Sequence, residues 1–129
     1  MDILEVVHKT LIKNDYVNDH ATGRIKFYEY PPTANDIEPH IIIDPLDTPS
    51  KKDYADNKWL TLDSLIQIDV WSMDRQVTLH LADVIGLSMW EGLGFYEISG
   101  PNEYDEGTGV FRIANRYRGK LYRSDFDTL

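Results

Sequence analysis

Two periodicities run along this chain. Ile3, Leu4, Val7 and Leu11 fall on one face of a 3.6-residue repeat, which predicts an amphipathic helix over the first thirteen residues. Lys9 and Lys13 lie toward its end, where cations suit the helix dipole. Asn14-Asp15 offers a stop, and the polar run to Gly23 reads as a loop. Residues 24–30 alternate, with Ile25 and Phe27 against Lys26 and Tyr28, and predict a strand ended by Pro31-Pro32. Residues 40–44 carry Ile41, Ile42 and Ile43 in a row, a β-branched run typical of a strand.

The clearest alternation spans residues 59–71. Leu60, Leu62, Ser64, Ile66, Ile68 and Val70 form one set, which predicts a core face. Trp59, Thr61, Asp63, Leu65, Gln67, Asp69 and Trp71 form the outward set. A helix is expected from Asp74 to about Trp90, capped after Ser72-Met73 and stopped by Gly92 and Gly94. Residues 95–99 read as a short strand, and the acidic stretch to Gly109 as a connection. The last strand is predicted over 110–122, with Phe111, Ile113, Tyr117 and Leu121 on one face. Arg112, Ala114, Arg116, Arg118, Lys120 and Tyr122 take the other.

The order α–β–β–β–α–β–β predicts an α+β fold: a mostly antiparallel sheet of four to five strands, with two helices packed on one face. Residues 1–129 read as one domain, with a long polar loop at 45–58 and a loose tail at 124–129. At 42% hydrophobic and 12% aromatic residues, the composition excludes intrinsic disorder. No cysteine is present, so disulfides, thiolate metal sites and a cysteine nucleophile are excluded. Apolar stretches are only a few residues long, and Met1-Asp2-Ile3-Leu4-Glu5 has no signal-peptide pattern, so a cytosolic origin without membrane contact is expected.

Catalytic motifs are sparse. His8, His20, His40 and His80 show no zinc-protease spacing, and Gly92-Leu93-Gly94 follows a helix rather than a strand. Residues 102–107 are acidic but lack calcium-loop spacing, and read better as a hairpin turn. Asp63 with Asp69, Asp44 with Asp47, or Asp69 with His80 are the acid–base pairs that an enzyme reading would use. No cofactor or metal is implied.

Charge is segregated. Residues 111–129 hold five basic and two acidic residues, a net of +3; the other 110 hold eight and twenty, a net of −12. Arg112, Arg116, Arg118 and Lys120 share one strand face. Two readings stay open: a solvated face paired with Asp63 and Asp69 of a neighbouring strand, or an electrostatic joint to another copy. Trp59 and Trp71 on the polar side of the long strand suit an interface, whereas Trp90 suits packing at the sheet edge. Lys51 and Lys52 add cations in the 45–58 loop. With a net charge of −9, general nucleic-acid binding is not expected.

The succession "HIIIDP", long loop, "LIQIDVWS", "MDRQVTLHLADVIGLSM" and "GVFRIANRYRGKLYR" resembles the tail completion and tail terminator proteins of long-tailed bacteriophages. The resemblance covers most of the chain. It implies a small α+β subunit of the virion, assembled in the host cytoplasm, that forms a six-fold ring of its own copies on the tail tube. The ring would meet the tail tube protein and the head connector, with DNA passing through its lumen unbound. It implies no catalytic residues. A head-closure or other neck component is the nearest alternative, and a small cytosolic carboxylate–histidine enzyme the alternative from another class.

Overall fold

A computed structural model describes residues 2–28, 38–47 and 49–122. The first helix, α1 (Ile3–Ile12), begins where the Asp2 carboxylate accepts the Leu4 N–H at 3.0 Å. Its buried residues include Ile3, Leu4, Val7 and Leu11, the set that the periodicity marked. A second helix, α2 (Asp15–Ala21), stands where a loop was expected. The first helix ends before Asn14, as expected, and Asn14 is the N-cap of α2, accepting the Val17 N–H at 3.1 Å. Only Val17 and Ala21 of α2 are buried, too few for a hydrophobic period to register. The third helix, α3 (Arg75–Leu93), starts at Asp74, whose carboxylate accepts the Gln76 and Val77 amides. Gly94, at φ 70°, ends it in the left-handed conformation.

Seven strands form one sheet among the described residues: β1 (Ile25–Phe27), β2 (His40–Pro45), β3 (Ser50–Ala55), β4 (Lys58–Ser72), β5 (Tyr96–Ile98), β6 (Asn102–Asp105) and β7 (Val110–Tyr122). The order is β1-β2-β4-β7-β5, with β3 also pairing β4 and β6 also pairing β7. Every pair is antiparallel except β1 with β2. The fold is therefore a single α+β domain with a mostly antiparallel sheet, carrying more strands and one more helix than expected.

Both added strands are hairpin arms with every residue exposed, so no apolar alternation announces them. The polar loop expected at 45–58 is largely strand β3 and its turn. Asp56 and Asn57, at φ 50° and 62°, form the two-residue turn into β4. Positive φ at both central residues is the type I′ geometry that matches strand twist, and Asp and Asn tolerate it. The strand expected at 24–30 is β1, and its last two positions lie outside the described residues, as does the 124–129 tail.

One core fills the space between the helices and one face of the sheet. Ile41 and Ile43 of β2, Ile66, Ile68 and Val70 of β4, and Ile113, Tyr117 and Leu121 of β7 meet Val7, Leu11, Val17, Leu81, Ile85 and Met89. These are alternate strand positions, as the period of two requires. Leu60 departs from the expected core set, being exposed on the β3–β4 arm. Phe95, fully buried, lies flat against Gly119; a Cβ there would come within 2.4 Å of the ring. Gly100 likewise lets the chain cross close to β7, since its Cβ would fall 1.7 Å from the Ala114 carbonyl oxygen. That crossing carries the edge from β5 to β6.

Candidate interaction surface

The second face of the sheet carries none of the residues of that core cluster. Its rows follow from the register: His40, Trp71, Arg112 and Glu103 across one level, and Asp44, Gln67, Arg116 and Ile98 across another. Between them lie Ile42, Asp69 and Ala114, all essentially fully buried. Asp69 was expected to be solvated. Instead its carboxylate takes three donors: Gln67 Nε2 at 2.8 Å on Oδ1, Arg112 Nε at 2.9 Å and Trp71 Nε1 at 3.3 Å on Oδ2. Large neighbours on both flanks exclude water that position alone would admit. These three donors, one of them the Arg112 cation, satisfy the buried charge. The Arg112 guanidinium also lies 5.8 Å from the centre of a Trp71 ring and 3.5 Å from Glu103.

The basic strip is mostly engaged inside the chain. Arg118 meets Asp63 at 3.2 Å, and Lys120 meets Asp53 at 3.1 Å. Asp53 also accepts the Thr61 hydroxyl at 2.5 Å; that bond, followed by Lys120, holds its carboxyl below the ordinary value. Within the chain, Arg118 pairs with Asp63 and Arg112 with Asp69 across the β4–β7 ladder. Arg116 is exposed and has no ion pair among the described residues. Lys51 and Lys52 sit on exposed β3, with the Lys51 ammonium 5.6 Å from the Trp59 ring centre. Trp59, beside Lys51, and Trp71, beside Arg112, are both half-buried.

Two grooves flank the sheet. One, about 470 Å³, lies beside the β6–β7 hairpin and is lined by Trp71, Tyr104, Arg112 and the carboxylates Glu103, Asp105 and Glu106. The other, about 350 Å³, lies between α3 and β5, where Leu87, Trp90 and Tyr96 are each more than half exposed beside Asp83 and Glu97. Trp90, expected to pack at the sheet edge, is the most exposed tryptophan, at 60%. Leu87 and Tyr96 were not singled out at all. Their signal would have been the angular position of residues 83, 87 and 90, which leave the buried stripe of Leu81, Ile85 and Met89.

The enzyme pair does not form. Asp69 belongs to the second face of the sheet, while His80 is on α3 on the opposite side, its ring 4.1 Å from that of Tyr16. Tyr117 is the strongly perturbed group: burial beneath α3, then the Glu97 carboxylate, push its phenol well above the ordinary value. Its hydroxyl donates to Glu97 Oε1 at 3.1 Å, which makes it a packed core donor. Among the described residues no three His, Asp or Glu side chains gather as a metal site, and no helix is long and apolar enough to cross a membrane.

No protein-family model matches the chain, and no curated protein matches it. Among solved structures, the chain is similar to one in the virion of a native gene transfer agent (GTA) particle. The TM-score is 0.66 at 11% sequence identity, covering 93% of this chain and 94% of that one. At that identity the likeness is one of fold, and it extends over nearly the whole of both chains.

Proposed function

We propose that this chain is a structural subunit of a phage-like virion: a tail completion protein that caps the tail tube as a ring of its own copies and joins it to the head. One observation carries the reading: a chain of a gene transfer agent virion shares the fold from end to end, with 94% of its length covered. The order of elements that resembles the tail terminator family supports the tail position. So do the surfaces, since exposed sheet edges and an exposed Leu87–Trp90–Tyr96 patch suit protein contacts. Partners on this reading are further copies in a six-fold ring, the tail tube protein and the head connector. DNA passes through the lumen without being gripped, in keeping with a chain of net charge −9.

Deleting the gene and imaging the particles tests this. Heads without tails, together with free tubes of irregular length, are the expected result. Particles of normal form would overturn it. Leaking heads beside tubes of normal length would move the chain to the neck, as a head-closure component.

A further inference from the structure

The long ladder of β4 and β7 has two unlike ends. It runs from Thr61 opposite Tyr122 to Ser72 opposite Phe111, twelve paired positions or roughly 40 Å at ~3.4 Å per residue. At the first end the β3–β4 arm carries Lys51, Lys52 and Lys58, all exposed, with Tyr54 two-thirds exposed. Of the arm's two aspartates, Asp53 is already held by Thr61 and Lys120. At the other end the groove beside β6 is rimmed by Asp105, Glu106 and Glu103, the last of which also meets Arg112 at 3.5 Å. Among the described residues β3 pairs with β4 alone and β6 with β7 alone, so each offers an outer edge of unpaired backbone groups. The two edges flank opposite sides of the ladder as well as opposite ends.

We propose that the β3–β4 arm of one copy seats along β6 and its acidic groove in the next copy. Strand addition supplies the backbone contacts, and the lysines face Glu103, Asp105 and Glu106. The occupant is a second copy because this chain itself carries the complement: a lysine-bearing exposed strand at one end and a carboxylate-rimmed exposed strand at the other. Contact between two different patches is heterologous, so it propagates head to tail and closes only if the rotation per copy allows. The inference rests on the assembly reading above and supplies the contact which that reading leaves open.

The chain has no cysteine, so site-directed cross-linking is clean. Lys52→Cys and Glu103→Cys variants are purified separately, checked for unchanged melting, and treated with a flexible bis-maleimide spanning ~10 Å, a little beyond disulfide reach. Mixed, they should give a heterodimer about tenfold above either variant alone, and the double variant a ladder of multimers. High salt, ~1 M, should suppress both, as screening requires. Equal dimer yields from each variant alone would mean a symmetric contact and overturn the proposal, as would no multimer in any mixture. As a second measurement, adding Lys51→Glu with Lys58→Glu to the Lys52→Cys variant should abolish its cross-link to the Glu103→Cys groove, and adding Asp105→Lys with Glu106→Lys to that partner should restore it. A yield unmoved by the reversal also overturns it. Detection of the chain in purified particles reports separately on the assembly reading: a chain present in particles but never cross-linked refutes this contact alone.

Discussion

Asp69 is the residue on which the second face of the sheet depends. Its carboxylate is buried and its only cationic donor described is Arg112, so losing that side chain leaves a buried charge with two neutral donors. Arg112→Met should cost about 3 kcal/mol in urea unfolding, the scale for breaking a buried pair. The double variant with Asp69→Asn should recover part of that loss, because the amide needs no counter-charge. Tyr117 sets a pH limit instead. Its phenol is raised in the fold, so the stability it contributes is whole below the unfolded value of about 10 and is lost as pH rises beyond it. Tyr117→Phe should be about 1 kcal/mol less stable at neutral pH, through the lost bond to Glu97. Above pH ~10 the gap should shrink, as only the wild-type protein has this group to ionise. Chemical denaturation across pH reads both effects.

At the scale of elements, legibility followed burial. β4, β7, α1 and α3 bury alternate or helical sets of large side chains, and their patterns stood out in the sequence. The segments that escaped bury little: α2 has Val17 and Ala21, and β3 and β6 have nothing buried. These are held by a cap, a two-residue turn and backbone pairing, none of which needs a hydrophobic period. Close approach was equally silent, since nothing in "RGK" says that Phe95 will lie on Gly119. Gly119→Val should therefore cost about 2 kcal/mol or more by forcing the ring out of its seat, measurable as a lowered melting temperature. The site was legible by halves. Cross-strand partners Asp63 and Arg118 could be named from residue type, but the burial of Asp69 depends on Trp71, Gln67 and Arg112 closing over it in three dimensions.

For the molecule as a whole, the segregated charge is partly met within the chain. The C-terminal strip engages Arg112, Arg118 and Lys120 inside the chain, and among its described residues Arg116 is the cation without an ion pair. Arg116→Glu with Arg118→Glu should leave the monomer folded. Surface pairs of this kind are worth about 1 kcal/mol or less, so melting should move little. Joining of tails to heads should nonetheless fall sharply, counted as tailed particles by microscopy. Normal joining would remove the strip from the interface and leave the arm and groove as the charged contact.

The antiparallel β4–β7 ladder also determines how the subunit carries load. The arm extends from the start of β4, and the acidic hairpin leads into the start of β7, at the far end. Tension applied between those points draws the two strands past each other along their length. Their hydrogen bonds lie across that direction, so twelve paired positions resist together rather than one after another. A slip of a single residue would also turn Ile66, Ile68 and Val70 out of the core, so the ladder has no small step by which to yield. Gripped at these two ends, the molecule would behave as a tie rod, stiff along the axis of the ladder.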